Sequence, residues 1–160
     1  VTAIPGLVRD RPEVVVARHL GPDPRLSRAL AERLRDAAVG PASDPLDQVA
    51  LVGSGSTHLS AVDDLAAAAR DLERVLGAPV SPLSITAELS GALAEFQASA
   101  VASYLLAEGH FARTVWAAGA TAGVPVVSTP IGAHPALIEL ILARYDAAAA
   151  SASETGVPVR

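Results

Sequence analysis

The stretch IGAHPALIELILARY, residues 131–145, repeats LGPDPRLSRALAERL, residues 20–34, at a constant offset of 132 − 21 = 111. Gly21 falls on Gly132, Pro24 on Pro135, Leu26 on Leu137 and Arg33 on Arg144. In each copy VVV or PVV is the expected strand and a glycine turns the corner. Proline then opens the helix, where its missing N–H costs nothing. Residues 1–37 therefore read as the terminal β-α unit of a preceding repeat, whose front lies upstream of Val1, and 48–148 as a complete second copy. With no methionine in the sequence, Val1 is not expected to be a natural start.

Between the copies, residues 38–47 (AVGPASDPLD) carry the Pro, Gly, Ser and Asp content of a linker. QVALVG (48–53) is a short apolar run ending in glycine, the pattern of a buried parallel strand. Val62, Leu65, Ala69, Leu72 and Leu76 then recur at three- and four-residue steps, with Asp63, Asp64, Arg70 and Glu73 off that stripe, which makes an amphipathic helix. PVSPLSI (79–85) is a second strand that Pro82 confines to an edge or a bulge. Ser90 is the expected cap of a helix carrying Leu93 and Phe96. The run 98–106, ASAVASYLL, can continue that helix or form a strand, and the strand is preferred. A short helix near 111–118, a strand at VPVVST (124–129) and a helix over 135–148 complete four units. The tail, 149–160, is expected to fray. The fold class is α/β, a four-stranded mostly parallel sheet flanked by helices in three αβα layers.

Composition agrees. Hydrophobic residues are 51% and aromatics 3% of 160 residues, so Ala, Val and Leu fill the core, which suits helices packed closely on a sheet. A formal charge of −5, without a basic run, argues against nucleic acid. With no cysteine there is neither a disulfide nor a thiolate metal site. No apolar run reaches the roughly 18 residues of a membrane span, and there is no charged-then-apolar leader. The expected location is cytoplasmic.

Three segments carry a resemblance to a known family: LVGSGST (51–57), ASYLLAEGHF (102–111) and PIGAHPALIELILARY (130–145). In order and spacing they resemble the two-repeat sirohydrochlorin chelatases of the ferrochelatase-like fold, over residues 13–148. The resemblance implies insertion of a divalent metal, cobalt or iron, into a tetrapyrrole during cobalamin or siroheme synthesis. The metal is then a substrate, and no other cofactor is implied. The implied partners are the tetrapyrrole and either the N-terminal repeat of the same protein or a homodimer mate. The chain also departs from the family. Ser54 stands where the family's active half offers a histidine between two glycines. Phe111 aligns with a second histidine ligand, leaving His110 one residue out of register. Ser84 occupies the place of an acidic ligand, with Glu88 nearby. These departures point to a non-catalytic half.

The loop Gly53, Ser54, Gly55, Ser56 and Thr57 follows a strand and precedes a helix. Successive N–H groups there can form a nest for a substrate carboxylate, or the glycines can simply serve a tight turn. It lacks the spacing of a Walker loop, a dinucleotide fingerprint and a nucleophile elbow. His110, expected at the sheet's ligand-bearing edge, is the candidate catalytic base and metal donor, since neutral imidazole suits both roles; an exposed loop histidine is the alternative. Arg113 is a candidate carboxylate contact. His134 is a candidate substrate contact, or a cap of the last helix, as Asp23 is in the first copy. Arg33 and Arg144 recur at matching positions and suggest a salt bridge at the repeat interface. His19 and His58 are assigned to the surface. Two other functions fit the same residues: an interaction or dimerisation half that uses the apolar helix 135–148, and a module binding another anionic small molecule at the glycine-serine turn.

Overall fold

The structure is a computed structural model that describes residues 8, 11, 14–38, 46–56 and 58–154. The elements are α1 (Pro24–Ala37), β1 (Val49–Gly53), α2 (Leu59–Leu76), β2 (Val80–Ser84), α3 (Leu89–Glu95), β3 (Ala100–Tyr104), α4 (His110–Ala122), β4 (Val126–Val127) and α5 (Pro135–Glu154). The strands form one parallel sheet in the order β2-β1-β3-β4. Pro82 lies on β2, an edge strand, opposite Leu51, where its missing N–H removes no central ladder bond.

Alternation along the strands builds two cores. Val49 and Leu51 of β1, with Ala100 and Ala102 of β3, face a layer supplied by Leu26, Leu30 and Leu34 of α1, Leu72 of α2 and Leu140 of α5. Ala50, Val52 and Val101 face the opposite way, onto Leu89 and Leu93 of α3 and Val115 of α4. Residues i and i+2 of a strand share a face, so one apolar run serves both layers. The result is a three-layer αβα architecture. α1 shares the first layer and packs on α2, β3, β4 and α5.

Several local expectations need correction. Ser90 does not cap α3: the helix begins at Leu89, Glu88 takes the cap position, and the turn is closed by the Leu89 N–H donating to the Thr86 carbonyl at 3.3 Å. β4 pairs only over Val126–Val127, because the Ser128 side chain takes over the ladder. The Ser128 hydroxyl oxygen accepts the Ser103 N–H at 3.0 Å, and the Ser103 hydroxyl donates to the Ser128 carbonyl at 2.8 Å. α4 runs from His110 through Ala122, longer than the expected 111–118. α5 runs through Glu154, its Ala-rich end continuing the helix past Ala148. Val14–Val16 form no strand and lie exposed. The linker positions 39–45, Thr57 and the tail from 155 fall outside the described residues.

Candidate functional site

In a parallel sheet every strand-to-helix loop leaves from the same edge, and a crevice opens where the strand order reverses. Here that place lies between β1 and β3. A cavity of about 580 Å³ opens there, walled by Gly53–Ser56 after β1, by Tyr104–Leu106 at the end of β3, by Asp64 and Leu65 of α2, and by His19–Gly21 from the first copy's turn. Gly55 holds φ +83°, a backbone conformation that side chains resist, and a Cβ there would sit 3.4 Å from that of Ser84. The turn therefore has its own need for glycine. Its amides are nonetheless open: neither the Gly55 nor the Ser56 N–H donates to another described residue. The Ser56 hydroxyl oxygen accepts the His58 N–H at 3.1 Å, which holds the loop against the start of α2.

The floor of the cleft is Tyr104. Its ring packs against the α1–α2–α5 core, and its hydroxyl makes no hydrogen bond to a described residue. Burial, with a smaller contribution from the negative charges of Asp64, Asp23 and Asp71, pushes the phenol up to about 12. It is thus a neutral hydrogen-bond donor across the physiological range. Gly21 makes room for it: a Cβ on Gly21 would overlap the Tyr104 oxygen and lie 3.1 Å from a Leu26 methyl carbon. Gly21→Ala is therefore expected to destabilise the fold by about 1–3 kcal/mol through overpacking. Tyr104→Phe should recover part of that loss, giving a coupling of about 0.5 kcal/mol or more in a double-mutant cycle of urea unfolding; strictly additive costs would show that the two residues do not meet.

Of the candidate site residues, Gly53, Ser54, Gly55 and Ser56 line the cleft together. His110 leaves from the same sheet edge but does not line it. It opens α4 in the opposite layer, exposed, with its ring 5.8 Å from that of Phe111. Arg113 lies one turn further along α4, also exposed and away from the cleft. His134 is buried and caps α5. Its Nδ1 accepts the Ala136 N–H at 3.2 Å, so the proton sits on Nε2, which donates to Glu32 at 3.1 Å. Among the described residues, no three His, Asp or Glu side chains gather as a metal cluster.

The repeat interface is cross-braced. Arg33 donates through two nitrogens to the Ile131 carbonyl at 2.9 and 3.1 Å, and Arg144 donates to the His19 carbonyl at 3.2 Å and to Asp23 at 3.2 Å. Each arginine thus reaches the strand-exit turn of the other copy. Asp23 also accepts the Arg25 N–H as the cap of α1. Burial raises the Asp23 carboxyl, but its bonds to Arg25 and the Arg144 charge outweigh this and hold it below its ordinary value.

Asp64 and Tyr104 were not among the expected site residues. Asp64 looks like an ordinary off-stripe charge on a helix, and Tyr104 like one more strand residue. The signal for Tyr104 is its place as the last residue of a central strand next to the switch point.

No family model and no curated protein matches the sequence. Solved structures do resemble it. SirB from Bacillus subtilis with Fe3+ superposes with a TM-score of 0.68 at 24% identity, over 95% of this chain and 65% of that one. The sirohydrochlorin chelatase SirB from Bacillus subtilis subspecies spizizenii, in complex with cobalt, gives 0.64 at 23%, over 91% and 60%. DR2241 from Deinococcus radiodurans, a multi-domain protein with structural similarity to chelatases, gives 0.58 at 27%, over 79% and 30%. The chain spans less than two thirds of the SirB chains it matches. With its parallel β2-β1-β3-β4 sheet, three layers and a cleft at the strand-order reversal, the chain has the fold of the sirohydrochlorin chelatases.

Proposed function

We propose that this chain is the C-terminal part of a sirohydrochlorin chelatase, which inserts cobalt or iron into the tetrapyrrole, and that the lobe formed by residues 48–148 walls the cleft without supplying the main metal donors. The observation that carries this reading is the cleft: an opening at the switch point of a chelatase-type sheet, with open loop amides on one side and a neutral phenol on its floor.

The chemistry divides between the parts of the cleft. Backbone N–H groups of Gly55 and Ser56 point positive dipoles at an anion, so they receive a ring carboxylate. Tyr104 donates a hydrogen bond without bringing charge. Metal insertion releases two pyrrole protons as the cation takes their place, and Asp64, the carboxylate among the lining residues, accepts them one at a time, passing the first to solvent water before it takes the second. Apolar walls from Leu65, Leu105 and Ile131 suit the flat faces of the macrocycle. His110 and Arg113, exposed on α4 in the opposite layer, take no part in this cleft. His134 serves through α5, whose start it fixes, rather than by contact. The first metal shell comes from the preceding repeat.

Absorbance titration tests the reading. The chain is expected to red-shift the Soret-type band of an added anionic porphyrin, and Gly55→Val, which strains the loop and narrows the cleft, should weaken binding by about tenfold, the equivalent of about 1.4 kcal/mol. An unchanged spectrum at saturating porphyrin would remove the tetrapyrrole from the cleft. Equal affinity in the variant would take the glycine-serine loop out of the site.

A further inference from the structure

Of the four histidines in the chain, His19 is the one that the fold brings to the cleft. With no partner at metal-ligand spacing it reads, in the sequence, as a surface residue. The structure keeps it exposed but sets it in the cleft wall, in the turn whose Gly21 abuts the hydroxyl of Tyr104. His58 and His110 do not line the cleft, and His134 caps α5.

Two contacts hold His19. Its ring Nδ1 donates to the Gly21 carbonyl, and its own carbonyl accepts the Arg144 Nε–H at 3.2 Å. A carbonyl only accepts, so the ring proton is on Nδ1, and in the neutral imidazole the lone pair lies on Nε2. No described residue bonds that nitrogen. Donation from the other ring nitrogen to a backbone carbonyl is how a metal-ligating imidazole is oriented and its tautomer fixed.

The surroundings favour a cation. Asp64, on the α2 wall, lines the same cavity, and no arginine does so among the described residues. Besides burial, what acts on the Tyr104 phenol is the charge of Asp64, Asp23 and Asp71, all negative. The floor therefore lies in a field that draws a positive ion in.

We propose that His19 is a metal donor of the cleft, which takes a hydrated divalent cation of the cobalt or iron class on Nε2 as it enters. The lone pair displaces one water of the ion, and no proton moves. Imidazole suits these borderline ions. A single imidazole, with water at the remaining positions, holds the ion loosely, as an ion that must pass on to the ring nitrogens has to be held. His19 lies in the first copy, the side from which the metal shell of the proposed function comes. The identity of the ion rests on the chelatase reading, while the donor atom rests on the turn and its two contacts.

Divalent cobalt alone, added to the 160-residue chain and followed by NMR, tests this. The ring of His19 should be the first of the histidine rings to broaden, together with the amides of Gly53–Ser56 and the ring of Tyr104, which line the same cavity. His19→Asn is the discriminating variant. Its amide can donate to the Gly21 carbonyl from the place of Nδ1 but offers nothing in place of Nε2. Its Tm is expected to stay within about 2 °C of the parent's, and the cobalt concentration that half-broadens the cleft signals should rise by at least about tenfold. His110→Asn should leave that concentration unchanged. First broadening at His58 or His110, or cleft signals that respond equally in His19→Asn, overturns the proposal; the titration of the unaltered chain decides it even where the variant does not fold. The chelatase reading fails on a different result. Cobalt bound at His19 beside an unchanged porphyrin spectrum keeps the donor and removes the tetrapyrrole, and a porphyrin shift without any cobalt effect at His19 does the reverse.

Discussion

Leu30→Ala is expected to lower the free energy of unfolding by about 2–5 kcal/mol, with a fall in Tm of roughly 5–20 °C for a chain of this size. Leu30 belongs by sequence to the first copy, yet it is 1% exposed and lies in the same core as Val49, Leu51, Leu72, Ala102 and Leu140 of the second. Removing three carbons there loses their transfer free energy and leaves a cavity bounded by a sheet and two helices, which can close only in part. Ile141→Ala provides the internal control. Ile141 is the counterpart of Leu30 in α5, but with nearly half of its surface in solvent its truncation should cost well under half as much. Chemical denaturation of the two variants decides the matter. Equal small losses would mean that α1 is only loosely attached, and that the lobe is complete without it.

The contrast between Leu30 and Ile141 also marks how far the sequence could be read. Periodicity identifies α2, the repeated glycine–proline turn places α1 and α5, and an apolar run marks the strand around Leu51, while the run around Ala102 fits a helix as well as a strand. Pro82 correctly sends β2 to an edge. The local starts and stops are less legible. Nothing within Ser90 itself says that the Thr86–Glu88 turn will begin the helix two residues earlier. Equally, nothing within VPVVST says that Ser128 will exchange backbone pairing for side-chain pairing with Ser103. Val14–Val16 read locally as a strand, but the Val14 N–H donates to the Arg11 carbonyl at 2.9 Å and no strand forms there. Cleft membership divides along the same line. Gly53–Ser56 could be placed from a strand, a glycine and a helix in succession. His110 could not, because its separation from the cleft depends on α4 packing on the far side of the sheet from α2. His134 shows the reverse case: a proline directly after it already marks a helix start, and the structure supplies the capping bond.

The phenol of Tyr104 should make the fold sensitive to alkali. Its folded value is raised to about 12 from 10.0, by burial first and then by Asp64, Asp23 and Asp71. A group with a raised folded value contributes stability that is whole below the unfolded value and is lost as pH climbs through the folded one. The loss here therefore begins near pH 10 and is complete a little above about pH 12. Between these limits the unfolded chain has given up the proton while the native chain keeps it. Stability then falls by up to about 1.4 kcal/mol per pH unit, about 2–3 kcal/mol in all. Other groups titrate in the same range, so the measurement is a difference: urea unfolding of the protein and of Tyr104→Phe, each followed from about pH 9 to about pH 12. The two curves should start close together at about pH 9, because the tyrosine hydroxyl has no hydrogen-bond partner among the described residues to miss. They should then separate by that amount as the pH rises, the tyrosine protein falling below the variant because phenylalanine has no proton to lose. Parallel curves would mean that the phenol ionises freely in the native state. Tyr104 would then be open to water rather than held as a neutral donor on the floor of the cleft, and the electrostatic part of the proposed site would fall with it.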